Sequence, residues 1–299
     1  MRQVQLGYSY MTDEIGMRSA FGQFARQLAE QLVTANAVGR FEKPVLGSLT
    51  NAVKSGAKWT DEYPAWQKYA DEFEELLQFA KKENQFDKYL GALQGSNSQR
   101  DSAIAELRVA RHFSDNGFRV VEWKPKGAGG NEGEFFVEGS EKQRVFVEVK
   151  SPGWEGQVTP EERRAGRLKQ GKYIDGEGGA VETWQKLRFA IDKAYKKFGD
   201  NTPNLLIIAD DLFIGLTLNP SLIAGLALYA SSGVAGKGYF ADQKHQRLGG
   251  VGLFEVNQQL GGSRVTYQMT LFLNLNSLPD TMLPLGMCRA FDGMILPSE

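Results

Sequence analysis

Residues 145–153 read VFVEVKSPG, and the fold turns on how that stretch is taken. VFVEVK alternates as a strand does. Val145, Val147 and Val149 share one face, while Phe146, Glu148 and Lys150 share the other. The valine face is apolar throughout and must rest on other apolar groups. The second face carries a carboxylate and an ammonium two residues apart, so it is either wet or a site.

The neighbouring residues bear on that choice. EFFVE (134–138) and RVFVEVK (144–150) are strand-like segments separated by GSEKQ, a connection of hairpin length. An antiparallel hairpin closed by that loop pairs Glu138 with Arg144, Val137 with Val145 and Phe136 with Phe146. Continued, the register sets Glu134 opposite Glu148 and Glu132 opposite Lys150, and opposed residues share a face. Two facing carboxylates at roughly 5 Å repel by about 1 kcal/mol in water and about 3 kcal/mol at an effective dielectric near 20. A bound divalent cation removes that cost, because magnesium and manganese prefer carboxylate oxygens. Without such a partner, alternating Glu and Lys form a solvated face, with Lys150 paired to a nearby acid. Glu106 adds to the acid set. In the preceding segment AELRVARHF it shares a helix side with Val109, Ala110 and Phe113, close to buried surface.

The rest of the chain supplies the frame. The first hundred residues read as helical, with apolar residues at helical spacing in residues 13–35 and 60–82. In the second of these, Tyr63, Trp66, Tyr69, Phe73, Leu76 and Leu77 line one side, and Thr60 is a cap candidate. GALQGSNSQ (91–99) is turn-rich and sets the expected boundary between a helical domain, 1–98, and a second domain, 99–299. DSAIAELRVARHFSDNG (101–117) is an amphipathic helix, with Ser98 or Asp101 as cap and Asn116-Gly117 as stop. FRVVEW, EFFVE and RVFVEVK follow as strands. A polar stretch runs from Gly153 to Ala180, then come a helix (181–199), an apolar strand (NLLIIADDLF), a short helix (SLIAGLALYA) and two further strands. The order α-β-β-β-α-β-α-β-β predicts an α/β fold, a mixed sheet with flanking helices.

Composition excludes several classes. The 299 residues carry a net charge of −1, so nucleic-acid binding would need a local patch. The single cysteine, Cys288, allows no internal disulfide and reads as a buried thiol of a cytoplasmic protein. The first residues show no basic segment followed by an apolar run, and no apolar stretch is long enough to span a bilayer, so neither export nor a membrane is expected. Two histidines, His112 and His245, are too few for a Cys/His zinc site, and no HExxH, GxSxG or P-loop is present. Hydrolysis would have to rest on carboxylates, a lysine and a metal.

The series AELRVARHF, GEFFVEG and VFVEVKSPG resembles the catalytic core of the PD-(D/E)xK nucleases, the restriction-endonuclease-like fold. The resemblance covers roughly residues 100–215. It implies a helix, three strands in a hairpin arrangement, a second helix and a further strand, with an all-α region ahead of it. It also implies a metal-dependent nuclease, an endonuclease or other phosphodiesterase, using Mg²⁺ or Mn²⁺. By position, Glu134 takes the first acid, Glu148 and Lys150 the ExK pair, and Glu106 the helix acid. Glu134, Glu148, Glu106 and the Val149 carbonyl would then hold the metal, with Lys150 orienting the attacking water. The sequence departs from the family pattern in having Glu rather than Asp at 134 and Gly133 rather than proline before it. Glu132 competes for the first acid position.

Nucleic acid, with DNA the expected substrate, needs cations. Arg163, Arg164, Arg167, Lys169 and Lys172 follow the hairpin, and Lys186, Arg188, Lys193, Lys196 and Lys197 lie on the next helix. Trp154 and Tyr173 are stacking candidates. Two other readings stay open: a nuclease-like protein that binds nucleic acid or assembles without cutting, and an interaction scaffold built on the N-terminal helices. A homodimer is left open as the assembly state.

Overall fold

A computed structural model of the chain describes residues 22–28, 67–95, 97–151, 187–210, 220–229, 238–257 and 264–296. The chain divides into two units, 1–88 with 260–265, and 89–259 with 266–299.

In the first unit, helix α1 is described over residues 22–28 and buries Phe24, Ala25 and Leu28. Helix α2, Gln67–Lys82, buries Ala70, Phe73, Leu76, Leu77 and Ala80. These fall at three- and four-residue intervals, the stripe the sequence predicts. Lys81 and Lys82 close its last turn, where cations suit the helix dipole. Tyr63, Trp66 and the expected Thr60 cap lie outside the described residues, and nothing is described of the Tyr69 side chain.

The division falls at 88/89, within helix α3, Phe86–Leu93, ahead of the turn-rich segment 91–99. Tyr89 accounts for the position: its ring meets that of Trp123 edge-on at 5.9 Å, and its hydroxyl reaches Glu106. Arg100 is buried and donates to the carbonyls of Leu93 and Gly95, which binds the end of α3 to helix α4, Asn97–Asp115. Helix α4 begins before both Ser98 and Asp101, so neither residue opens it as a cap. Its stop is the expected one. Gly117 has φ +84°, its N–H donates to Ser114, and the Phe118 N–H donates to Phe113.

The described strands of the second unit form one sheet in chain order. They are β1 Arg119–Trp123, β2 Phe135–Glu138, β3 Arg144–Lys150, β4 Asn204–Asp210, β5 Gly250–Asn257, β6 Thr266–Leu273 and β7 Gly293–Ile295. β1, β2 and β3 are antiparallel neighbours, β3, β4 and β5 run parallel, β6 is antiparallel to β5, and β7 is parallel to β6. The result is a mixed sheet with flanking helices, an α/β fold. The short strand β7 is one that the sequence pattern does not announce.

Both faces of β3 are covered. Val145 through Val149 are all buried, so the Phe146–Glu148 side is not a wet face. Phe146 joins Leu206, Ile208, Val251, Leu253 and Phe272 in one cluster with Leu187, Ile191, Ala194 and Phe198. The first three of those last four project from helix α5, described over 187–195, at the spacing of one helical face. Helix α6, Pro220–Tyr229, adds Ala224, Ala227 and Leu228. The opposite face meets α4, where Phe113 packs edge-on against Phe135 at 6.4 Å.

His112 is buried and donates from Nε2 to the Ala290 carbonyl at 2.8 Å, a structural role. Cys288, expected to be buried, is half-buried. Among the described residues no helix is long and apolar enough to cross a membrane.

Candidate functional site

The hairpin forms in the register the sequence predicts. Phe136 opposes Phe146, Val137 opposes Val145 and Glu138 opposes Arg144. One step beyond β2, the Glu134 N–H donates to the Val147 carbonyl at 3.3 Å, while the Glu134 carbonyl accepts from the Lys124 N–H at 2.8 Å. Glu134 is thereby tied to the strands on both sides. Gly133 precedes it for a steric reason: a Cβ there would lie 2.1 Å from Cζ of Phe146. Glu132 does not compete for this place. It is exposed and forms an isolated bridge with Lys126, not the pairing with Lys150 that simple extension of the hairpin suggests.

Glu148 is completely buried and Glu134 nearly so. Removing a carboxylate from water costs about several kcal/mol unless opposite charge or hydrogen bonds offset it. The Lys150 ammonium lies 2.5 Å from Glu148 Oε1, and the Lys197 ammonium lies 2.7 Å from the same oxygen. Lys197 also lies 3.9 Å from Glu134 Oε1, so one ammonium joins the two acids. Both lysines lie against Oε1, while Oε2 is buried with no hydrogen-bond partner among the described residues. Burial raises the Glu148 pKa; Lys150 opposes the shift and Glu134 adds to it.

A second group of charges adjoins the first. Lys124 ion-pairs with Glu134 and lies 2.7 Å from Glu106 Oε2. The Tyr89 hydroxyl donates to that same Glu106 oxygen at 2.8 Å, and the Lys124 ammonium sits 5.5 Å from the centre of the Tyr89 ring. Burial, then the nearby Glu134 charge, pushes the Glu106 pKa up to about 7 against the pull of Lys124. Burial alone would lower the Lys124 pKa, but Glu106 and Glu134 override it and raise it. Burial and Glu106 hold the Tyr89 hydroxyl well above the ordinary phenol range. Three carboxylates and three ammonium groups thus alternate along the site.

No family model, curated protein or solved structure matches this chain.

Among the described residues no three acids, histidines or cysteines converge as a metal-binding group. Glu134 and Glu148 meet through the Lys197 ammonium, and Glu106 meets Glu134 through Lys124. The donor chemistry still fits a hard divalent cation, since the groups are carboxylate oxygens and Glu148 Oε2 is a buried acceptor lacking a hydrogen bond among the described residues. Val149 stands in register with Ile207 of β4, its side chain buried.

Lys193 and Lys196 are exposed on and just beyond α5. Arg188 donates to the Ala227 carbonyl at 3.2 Å. Lys197, grouped with the surface cations in the sequence, instead belongs to the carboxylate site. Arg163, Arg164, Arg167, Lys169, Lys172, Lys186, Trp154 and Tyr173 lie outside the described residues.

Two members of the site, Lys124 and Tyr89, were not read from the sequence. Lys124 had a signal. β1 pairs antiparallel with β2, with Trp123 opposite Phe135, so the next residue falls beside Glu134. The proline and glycines of KPKGAGGNEG (124–133) mask it, because that composition reads as loop. Tyr89 had none, because it lies ahead of the turn-rich segment 91–99 and seventeen residues from Glu106.

Proposed function

We propose that the second unit is a metal-dependent phosphodiester hydrolase of the PD-(D/E)xK type, with nucleic acid, DNA above all, as substrate. The observation that carries the reading is the fully buried Glu148, which shares the Lys197 ammonium with Glu134 on the neighbouring segment. A buried carboxylate with an oxygen lacking a hydrogen bond among the described residues is costly to maintain for structure alone. Further support is the order α4-β1-β2-β3-α5-β4, with Glu106 on α4, Glu134 just ahead of β2, and Glu148 and Lys150 on β3.

Glu134 and Glu148, with Glu106 beside them, would hold Mg²⁺ or Mn²⁺, which acidifies a bound water and neutralises charge on the phosphate. Lys150 has about a third of its side chain exposed and so can reach a phosphate from the rim, orienting water against phosphorus. Lys197 holds Glu134 and Glu148 together from just past α5. Exposed Lys193 and Lys196 supply backbone-phosphate contacts along the same segment. A cytoplasmic setting goes with this proposal.

A second reading has its own observation. Each of the three carboxylates is already ion-paired with lysine, which suits a nuclease-like subunit that binds nucleic acid without cutting it. The two readings separate on a panel of single- and double-stranded DNA and RNA incubated with Mg²⁺, Mn²⁺ or EDTA. Metal-dependent cleavage that Lys150→Ala abolishes supports the hydrolase. Binding without cleavage of any substrate supports the second reading.

A further inference from the structure

Each acid in the site has an ammonium group beside it, so a divalent cation cannot join without leaving excess positive charge. Displacing a lysine would lessen that excess, and the three are not equally held. Lys150 and Lys197 both lie against the fully buried Glu148, with 30 % and 20 % of their side chains exposed. Lys124 is the most exposed, at 38 %, and faces Glu106 and Glu134, which are less deeply enclosed than Glu148. Its backbone is unusual too. Lys124 has φ +52°, in the left-handed region that a lysine rarely adopts. Such conformations cluster at functional sites, where the surroundings hold them. Here they carry the chain beyond Trp123 so that one ammonium spans α4 and the β2–β3 hairpin.

We propose that Lys124 is a resident counter-cation, seated between Glu106 and Glu134 until a divalent cation displaces it. The inference rests on the metal-site reading above and adds a residue that the reading did not contain. Seating of Lys124 and cation binding are mutually exclusive. When displaced, its side chain turns toward solvent at the edge of the site, where a phosphate would approach. Lys124 is therefore a positioning residue that keeps Glu106 and Glu134 together in the absence of metal.

The test uses Mn²⁺ alone as the probe and does not need activity. Reductive methylation of the wild-type protein, read by mass spectrometry, reports the accessibility of each lysine, with exposed Lys142 in the hairpin turn as internal standard. Saturating Mn²⁺ should raise Lys124 labelling several-fold relative to Lys142. Calorimetry should show Lys124→Met binding Mn²⁺ about tenfold more tightly than wild type, because a competing charge is gone. Lys124→Arg, which keeps the charge, should show no such gain. A merely structural lysine would not tighten metal binding when removed. Mn²⁺ uptake with unchanged Lys124 labelling overturns this proposal and leaves the metal site standing. Absence of uptake by wild type and Lys124→Met alike overturns the metal site and this proposal together. If Lys124→Met does not fold, the wild-type labelling decides.

Discussion

The Lys197 ammonium lies 2.7 Å from Glu148 Oε1, so a residue just past α5 reaches a fully buried acid on β3. Taking this cation away leaves Glu148 with Lys150 as its remaining close charge partner among the described residues. Lys197→Met should therefore destabilise the protein by about 3 kcal/mol, the scale for breaking a buried ion pair. Lys193→Met and Lys196→Met, at exposed positions, should change stability by less than about 0.5 kcal/mol. Urea denaturation of the three variants checks the contrast. Equal effects would place Lys197 on an ordinary surface.

Gly133 is fixed by the Phe146 ring, whose Cζ would lie 2.1 Å from an added Cβ. Phe146 cannot readily yield, because it packs edge-on against Phe136 at 5.4 Å and Phe198 at 6.0 Å. Gly133→Ala should cost about 1–3 kcal/mol through overpacking and shift Glu134 with the backbone. Chemical denaturation together with loss of Mn²⁺ affinity reads both effects. Unchanged stability would mean that the ring is free to move.

Much of this arrangement was legible in the sequence, for a definite reason. The hairpin register follows from alternation and loop length, so the pairing from Glu138 opposite Arg144 to Phe136 opposite Phe146 could be worked out residue by residue. The α4 stop was legible because Gly117 adopts a backbone conformation suited to glycine. What alternation cannot report is the layer above a strand. Whether Glu148 is wet or buried depends on α5, more than thirty residues later. Lys197 shares a chain segment with surface lysines and differs only in where the helix end places it. Tyr89 reaches Glu106 through helix docking, which local pattern does not encode.

Glu106 should make stability depend on pH. Burial and Glu134 raise its pKa from 4.5 to about 7, so the folded state holds this proton more tightly than the unfolded state does. Its contribution is present in full below about pH 4.5 and is lost as pH rises through about 7. In Glu106→Gln that part of the slope should vanish. Urea midpoints between pH 5 and 8 test it, and an unchanged slope in the variant would assign the dependence elsewhere.

His245 should act in the opposite sense. Its ring stacks on Tyr239 at 3.5 Å, and Nδ1 donates to the Tyr239 carbonyl at 2.7 Å. Burial lowers its pKa from the ordinary 6.5; the Tyr239 carbonyl and the nearby acids oppose that shift, while Lys244 adds to it. A depressed pKa means that stability is complete above about pH 6.5 and declines as pH falls through the lower folded-state value. Thermal melts of wild type and His245→Gln between pH 7 and 5 should converge as the wild type weakens. Parallel curves would rule out His245 as the source.

The claim that Glu134 and Glu148 form a cation site is tested most directly by titrating Mn²⁺ into wild type and Glu148→Gln in a calorimeter. Saturable uptake by wild type, lost or weakened at least about tenfold in the variant, is the predicted result. A folded wild-type protein that takes up no Mn²⁺, or a variant that binds it equally well, would contradict the account.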